Sequence, residues 1–343
     1  MKNIKQALIL TLKILNGEYP LINALYQEQN EITKYLIEHG GDCNVKNNRG
    51  IPLLVFVIQN ENDNIVKHIL KKPNIHINEK SENGYSAFMT AINQNNTGLV
   101  ELILNYSNNN NIPIDINEKD ASGNYPIAKA INKNNFDMVI LLMEYGMNNK
   151  IDMNNLTNIN DYSLLYLAYK QKNLRMFKYL SKHLDVNQID NTGQSIIFTV
   201  VVENDIDIVE YLIYNGANLS IKDKYNNSFK QQYTNLILNF LIKKHNMEAI
   251  KYLIESEKHK ANLEINVKYI NDEYPLINAL YQEQNEIIKY LIEHGGDCNI
   301  KNNHGIPLLV LAIQKNNDEI AKYILEKPGI HINEKCPNGY SAS

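Results

Sequence analysis

Residues 19–43 read YPLINALYQEQNEITKYLIEHGGDC, and residues 274–298 read the same sequence except that Ile288 replaces Thr33. The correspondence continues without gaps, at an offset of 255 residues, at least as far as NGYSA at residues 83–87. The chain therefore contains a tandem duplication. Self-similarity of this kind is the sequence signature of repeat architectures, so the fold is best sought in the repeated unit.

A shorter repeat of 33 to 39 residues runs through the chain. Each unit has a first apolar segment, such as SAFMTAINQNN (86–96), and a second, such as IVEYLIYNGANL (208–219). Apolar positions spaced i, i+3, i+4 in these segments predict two short amphipathic helices per unit. A Gly or Asn closes the second helix, and a polar turn or hairpin leads to the next unit. The turn residues that mark the units are Gly17, Gly50, Gly84, Gly123, Gly193, Gly305 and Gly339, with Asp161 and Asp272 in two weaker copies.

These patterns predict an all-α solenoid of stacked helix-turn-helix units joined by hairpin-like loops. One helix pair cannot bury its own apolar face, whereas a stack of pairs forms a continuous core. We count about nine units, the last cut short. We divide the chain into a first block (1–222), an irregular repeat or junction (223–268) and the duplicated repeats (269–343). Small residues mark the middle of the first helices, at Ala24, Ala91, Ala130, Ala168 and Ala279, and we expect leucines of the second helices to fill the core, at Leu36, Leu102, Leu142, Leu180, Leu212, Leu253 and Leu291.

The units resemble the ankyrin repeat, whose pattern is D-x-x-G-x-T-P-L-H-x-A-A and, after a polar turn, V-x-x-L-L-x-x-G-A-D-x-N. The nearest matches are DNTGQS (190–195), DIVEYLIYNGANL (207–219), DASGNYP (120–126) and YLIEHGGDCN (35–44). The resemblance covers almost the whole chain. It implies a concave groove, lined by hairpin tips and first helices, on which partner proteins dock.

The chain departs from the ankyrin pattern in several places. Thr-Pro becomes Tyr19-Pro20 in one unit, Ile51-Pro52 in the next and Ser86-Ala87 in the third, and the His is absent from nearly every copy. Two loops, at residues 107–112 and 147–155, are expected to be enlarged.

Charge and composition exclude several classes of protein. There are 34 Lys and Arg against 38 Asp and Glu, a net charge of −4, without the concentrated basic patch of a nucleic-acid or membrane-surface protein. No segment approaches the length of an apolar membrane span. Asn makes up roughly one residue in six, which we interpret as a clue to an A/T-rich source genome. Three cysteines and no clear signal peptide predict a cytoplasmic protein, and we expect a monomer.

The sequence indicates no catalytic chemistry, metal site or cofactor. The turn glycines are too widely spaced for a phosphate-binding loop. His39 lies near Cys43, but a single His/Cys pair lacks the four ligands of structural zinc. Cys43 and Cys298 are expected to be buried packing residues, and the histidines to be exposed structural residues. We therefore expect a protein that is not an enzyme.

The expected function is that of a protein-protein interaction scaffold. Tyr85 and Tyr162 neighbour the turn residue of their units and are expected to point outward, where exposed tyrosines can anchor a partner. Arg49 and His304 are equivalent positions at which the two copies differ. The candidate partner-binding surface consists of Arg49, Glu82, Asn83, Tyr85, Asn124, Tyr162, Thr192, Gln194 and His304.

Other interpretations stay open. The chain could be the recognition arm of a larger enzyme, such as a kinase or ubiquitin ligase, whose catalytic part lies outside this sequence. It could also be a structural spacer without a ligand. The duplication either gave two surfaces with distinct partners or only lengthened the array.

Overall fold

A computed structural model describes residues 19–219, 231–255, 263–268 and 273–333. These residues contain eighteen α-helices and no extended strand, and the chain divides into two compact units, residues 1–184 and 185–343. The helices come in nine pairs, which confirms the predicted all-α architecture of helix-turn-helix repeats. The ninth pair is complete. The truncated unit that begins near residue 338 lies outside the described residues, as do Gly17, Asp272 and Gly339.

The described residues of unit 1 form five pairs of helices. They are α1 (Pro20–Tyr26) and α2 (Asn30–Glu38), α3 (Leu53–Gln59) and α4 (Asp63–Ile69), α5 (Ala87–Asn93) and α6 (Thr97–Asn110), α7 (Pro126–Asn132) and α8 (Phe136–Asn148), and α9 (Leu164–Lys170) and α10 (Leu174–His183). First helices pack against first helices of the next repeat, as α3, α5, α7 and α9 do in succession, and second helices stack in the same way.

The described residues of unit 2 form the other four pairs. They are α11 (Ile196–Val202) and α12 (Ile206–Tyr214), α13 (Gln231–Lys243) and α14 (Met247–Glu255), α15 (Pro275–Tyr281) and α16 (Asn285–Glu293), and α17 (Leu308–Gln314) and α18 (Asp318–Leu325). The proposed division of the chain at residues 222 and 268 stays a prediction, since residues 220–230, 256–262 and 269–272 lie outside the described part of the chain.

The core lies between the stacked helices. All five predicted spacer alanines are buried, and so are Leu142, Leu180, Leu212, Leu253 and Leu291. Two predicted core leucines are only half-buried. Leu102 is one position out of register, because Ile103 occupies the buried position of α6, and Leu36 lies in the first described repeat. Each fully buried Leu or Ile side chain contributes about 1.5–3 kcal/mol to stability.

The two segments predicted as enlarged loops begin within helices: most of residues 107–112 is helical, whereas residues 149–155 form a loop. Residues 107–110 belong to α6 and residues 147–148 to α8, so the extra residues lengthen second helices to 14 and 13 residues. The longer helices bring Tyr106 and Tyr145 over the preceding repeat, where their hydroxyls accept the N–H groups of Ile75 and Ile114 at 2.9 and 3.0 Å. Burial of these tyrosines outweighs the low helix propensity of the asparagines nearby.

The turn between the two helices of a repeat has the same backbone in all nine described pairs. The residue after the C-cap of the first helix adopts a left-handed conformation, with φ between 53° and 58°. Glycine or asparagine suits this conformation best, yet only four of these residues are asparagine. The nine residues are Glu28, Glu61, Asn95, Asn134, Lys172, Asn204, His245, Glu283 and Asn316.

Asparagine side chains join successive repeats at the start of the second helices. The Oδ1 of Asn96, for example, accepts the N–H of Leu99 at 3.1 Å and caps α6, while its Nδ2 donates to Asp63 of the preceding repeat at 3.1 Å. An amide can do both because it is at once an acceptor and a donor. The same double role belongs to Asn62, Asn135, Asn173, Asn246 and Asn317.

A second group of asparagines links the loops that follow the second helices. The Nδ2 of Asn44 donates to the carbonyl of Asn74 in the next repeat, at 2.9 Å, and its Oδ1 accepts the N–H of His76 at 2.8 Å. Asn187, Asn266 and Asn299 make the equivalent pair of bonds in unit 2. These bonds fix the spacing of neighbouring hairpins.

Candidate functional site

The hairpin tips that precede the first helices carry the predicted binding residues. In five tips an Asn or Asp side chain, at the first position of the turn, accepts the backbone N–H groups two and four residues later at 2.9–3.1 Å. Isolated bridges at Lys46–Pro52, Thr157–Ser163 and Lys301–Pro307 close three of these hairpins. The tip backbone is therefore fixed by local hydrogen bonds, independently of any ligand. The five turn residues are Asn47, Asp120, Asn158, Asp190 and Asn302.

The structure corrects the alignment of the second repeat with the ankyrin pattern. Tyr19 is the N-cap of α1 and Pro20 its first residue, whereas Pro52 is itself the N-cap of α3. Pro52, rather than Ile51, therefore takes the place of the threonine in the ankyrin pattern. The neighbouring Gly50 has a φ of +67°, a backbone conformation that favours glycine.

The nine predicted residues differ in exposure. Arg49, Glu82 and Asn83 are exposed in unit 1, and Gln194 and His304 in unit 2. The other four, Tyr85, Asn124, Tyr162 and Thr192, are half-buried.

Two of the half-buried residues are engaged within the fold. Asn124 uses its Oδ1 to accept the N–H of Ile159 in the next tip at 3.2 Å, and the hydroxyl of Thr192 donates to Asp190 at 2.5 Å. Their side chains hold the tips in place, which leaves the exposed polar residues and the two tyrosines as the candidate contact residues.

We call the tips and first helices of unit 1, from Arg49 to Lys170, the tip surface; its first helices pack against one another in succession. The ring of Tyr162 stacks on Tyr166 of α9 at 4.2 Å, and the Lys170 ammonium lies 5.5 Å from the Tyr166 ring centroid. Further along, Lys119 lies 4.9 Å from the ring centroid of Tyr125. Aromatic rings with cations beside them suit polar and aromatic side chains of a partner.

Two clefts open between the tips of the third and fourth repeats. One, of about 220 Å³, is lined by Tyr85, Met89 and Lys119 among others. The other, of about 320 Å³, is lined by Phe88, Pro113 and Asn78 among others. An ion pair between Lys80 and Glu118 joins the two tips beside both clefts.

Asp120 is the buried charge of the tip surface. Its side chain is almost fully buried and its carboxylate meets the Lys129 ammonium of α7 at 2.5 Å. Burial raises the pKa of this carboxyl, but hydrogen bonds from Lys129, Asn124 and Ser122 outweigh burial and hold the pKa below its usual value. The ionised form is therefore part of the folded tip.

Sequence reasoning missed three exposed groups near the tips. Ile159, in the fifth tip, is 58% exposed and is the most exposed large apolar side chain among the described residues of unit 1. Tyr26 and its duplicate Tyr281 end their first helices, exposed, with hydroxyls that accept from Asn47 and Asn302 of the next tip. The signal was available for the tyrosines, because they end each first helix of the identical 25-residue stretch.

Comparison with known proteins identifies the family to which the chain belongs. The family model "Ankyrin repeats (3 copies)" matches residues 2–81, 54–152, 147–223 and 237–336. The chain belongs to the ankyrin-repeat family. Its relatives include alpha-latroinsectotoxin-Lt1a of Latrodectus tredecimguttatus, 26% identical over 42% of this chain and 10% of the toxin.

Two viral ankyrin-repeat proteins are also similar. The FPV034 protein of fowlpox virus is 32% identical over 22% of this chain and 18% of its own length. The L371 protein of Acanthamoeba polyphaga mimivirus is 24% identical over 48% of this chain and 21% of its own length. The chain thus matches about a fifth or less of each of these relatives.

Two cysteines and two histidines of this ankyrin-repeat chain, which lie at equivalent positions of the duplicated copies, pack within the fold. Cys43 and Cys298 are buried, as predicted, and burial raises the pKa of the Cys43 thiol to about 11, which disfavours the reactive thiolate. His39 and His294 are exposed, and each ring packs against the tyrosine one turn earlier, at 3.8 and 4.0 Å. Among the described residues, no three His, Cys, Asp or Glu side chains are grouped to hold a metal ion. In the same part of the chain, no helix has the length and apolar character needed to cross a membrane.

Proposed function

We propose that unit 1 binds a partner protein along its tip surface, with Tyr85, Ile159 and Tyr162 as anchors and Arg49, Glu82 and Asn83 as polar contacts. Ankyrin repeats are generally protein-protein interaction modules. The observation that carries the proposal is the pairing of a fixed tip backbone with exposed apolar and charged side chains and half-buried tyrosines. A surface that is already ordered loses little conformational entropy on binding.

The chemistry of the tip surface favours an extended partner segment of mixed polarity. Lys80 and Glu118 already neutralise each other across the clefts, so the surface between the third and fourth tips has no strong charge of one sign. The clefts beside Tyr85 and Phe88 suit apolar or aromatic side chains. Successive tips then receive successive side chains of the partner, an arrangement typical of extended-peptide recognition.

Unit 2 offers a second, separate surface. Gln194 and His304 are exposed in its tips, and Lys315 lies 5.7 Å from the ring centroid of Tyr281. The first copy has Arg49 and Asn60 in the places of His304 and Lys315. We propose that the two copies prefer different partner segments. The test measures the affinity of one peptide for the full chain and for its R49H and H304R variants. Equal affinity of the peptide for both copies would contradict the proposed difference in preference.

We further propose that the chain acts by binding and not by catalysis, as a monomer in the cytoplasm. The ankyrin-repeat family is typically non-catalytic. Cys43 and Cys298 are free thiols, which is consistent with a reducing compartment.

The proposal is tested by affinity capture from source-cell lysate with the full chain and two triple variants. R49A/Y85A/Y162A removes groups of the tip surface. K67A/E101A/K182A removes exposed groups of the second helices and is the matched control. We expect partners captured by the wild type and the control to be lost with the tip variant, at unchanged helicity. Equal capture by all three proteins would contradict the proposal.

A further inference from the structure

The turns between the two helices of a repeat carry a charge that changes sign along unit 1. Each turn is taken here as six residues, from two before the left-handed residue to three after it. In the first and second repeats, residues 26–31 and 59–64 contain four carboxylates and no cation, a charge of −4. In the fourth and fifth repeats, residues 132–137 and 170–175 contain four cations and one carboxylate, a charge of +3. The third turn, residues 93–98, is uncharged, so the row of turns is acidic at one end and basic at the other.

The basic end is held together by contacts between the fourth and fifth repeats. The Nδ2 of Asn173 donates to the Oδ1 of Asn134 at 2.7 Å. The guanidinium of Arg175 lies 4.9 Å from the ring centroid of Phe136, the first residue of α8. The hydrogen bond and the cation–ring contact restrict these side chains before any ligand binds. The two turns therefore form one surface.

An exposed leucine lies among the charges of this surface. Leu174, the first residue of α10, is 48% exposed and directly precedes Arg175. Lys133, Lys172 and Arg175 are exposed, and none of them forms an ion pair with another described residue, Asp137 of the fourth turn included. We call Lys133, Lys172, Leu174 and Arg175 the basic turn patch. An apolar side chain with cations around it suits a ligand that has one apolar side chain and several carboxylates.

We infer that the basic turn patch binds an acidic segment of a partner protein. An apolar side chain of the segment covers Leu174, and carboxylates beside it pair with Lys172 and with the guanidinium of Arg175, which can hold a carboxylate through two hydrogen bonds. The acidic turns of the first and second repeats repel such a segment, so charge places it at the fourth and fifth repeats. Three cations in the patch and a net charge of −4 for the chain disfavour nucleic acid, whose binding relies on many phosphate contacts.

The basic turn patch is separate from the tip surface. In the fifth repeat the tip precedes α9 and the patch follows it, and α9, with seven residues, is about 10 Å long. The inference therefore does not rest on the proposed function, and either of the two can fail alone.

The test is a selection of phage-displayed random peptides, about twelve residues long, on the full chain. We expect the enriched peptides to share an apolar residue flanked by Asp or Glu. K172E/R175E should lower the affinity of an enriched peptide about ten-fold, because two attractions become repulsions. K67E/K182E reverses two exposed lysines of second helices in unit 1 and is the matched control. It should bind the peptide as the wild type does.

Further variants separate this inference from the proposed function. L174A should weaken binding of the enriched peptide, because it removes the apolar contact. R49A/Y85A/Y162A should leave binding unchanged, because the tips are not part of the patch. Higher salt should weaken binding, since the patch is exposed. Loss of binding in the tip variant, with normal binding by K172E/R175E, would contradict the inference and favour the tip surface.

Three other results would overturn the inference. One is a selection that enriches no acidic peptide. Another is an acidic peptide that binds K172E/R175E as tightly as the wild type. The third is oligothymidylate that binds the wild type more tightly than any enriched peptide and is lost with K172E/R175E, because the ligand class would then be nucleic acid. If K172E/R175E loses helicity, the milder K172Q/R175Q is judged by the same criterion.

Discussion

Asparagine side chains serve four structural purposes in this chain. They close the turn in the hairpin tips, take the left-handed position between helices, cap the second helices and link successive loops. Each purpose uses a short amide that tolerates a left-handed backbone or that accepts and donates at once. The high asparagine content, which the sequence alone presented as a clue to the source genome, thus has a structural use. One example of each is Asn47, Asn95, Asn96 and Asn44.

The left-handed turn position gives a prediction at the residue scale. Glu61 is exposed with a φ of 56°, and its equivalent in the duplicate, Asn316, has the same conformation. We expect E61N to raise the free energy of unfolding by about 0.5–1 kcal/mol, because asparagine adopts this backbone with less strain. Urea unfolding measures the change. E61A is the control and should give no gain; an equal gain from both would contradict the explanation.

Asp120 gives a prediction about pH. Its pKa is lower in the folded chain than in the unfolded chain, so the ionised carboxylate stabilises the fold at neutral pH. That stabilisation is lost as the pH falls through the folded pKa. D120N keeps the turn acceptor, as Asn47 and Asn158 show, but loses the ion pair with Lys129. We expect D120N to lower the free energy of unfolding by about 1 kcal/mol at pH 7, and D120A to lower it by about 2–3 kcal/mol.

The measurement is urea unfolding of wild type and D120N from pH 7 to pH 3. The difference in the free energy of unfolding between the two proteins should shrink below about pH 4, near the ordinary pKa of an aspartate. A difference that stays constant over this range would show that the Asp120 charge does not contribute to stability.

At the scale of the helix, the capping asparagines connect repeats through a single side chain. Asn96 receives an N–H of its own helix and gives an N–H to Asp63 of the previous one. Repeat six uses Asp205 as its cap instead, which accepts the N–H of Ile208. Asparagine and aspartate cap helices equally well, so the choice between them depends on the neighbouring repeat.

This choice can be tested by substitution. N96S should lower the free energy of unfolding by about 0.5–1 kcal/mol, because serine does not replace the hydrogen bond that Asn96 donates to Asp63. N96D keeps the cap but places a carboxylate against Asp63, so we expect it to cost at least 1 kcal/mol more, and less in high salt. Thermal unfolding at two salt concentrations measures both effects. D205N, which makes the opposite substitution at the N-cap of α12, is the control. A finding that N96D is as stable as N96S would contradict the proposed link.

The sequence predicted the helix pairs because each one repeats the same apolar spacing. It did not predict the length of α6 and α8, since runs such as Asn108–Asn110 look like loop, and only burial of Tyr106 and Tyr145 shows why they are helical. The sequence also did not predict the left-handed turn between the two helices of a repeat, because Glu, Lys and His are not typical of this conformation. The positions of the tip residues followed from the turn glycines. Whether each side chain faces a partner or holds the tip, as Asn124 does, depends on contacts between repeats.

At the scale of the whole molecule, stacking assembles the nine described helix pairs into two compact units. The tips of unit 1 place Arg49 on the second repeat, Tyr85 on the third, and Ile159 and Tyr162 together on the fifth. The turn bonds and the loop asparagines fix the spacing of these side chains before any partner arrives. In the proposed function, this order lowers the entropic cost of binding, and specificity comes from residues that the fold does not need for its core.

The most direct test of this account is site-specific photo-cross-linking of a captured partner. A photoreactive residue replaces Asn83 at an exposed tip in one protein and Glu101 on an exposed second helix in another. We predict that the partner cross-links to position 83 and not to position 101. Cross-linking at position 101 alone would contradict the claim that the tip surface of unit 1 is the binding site.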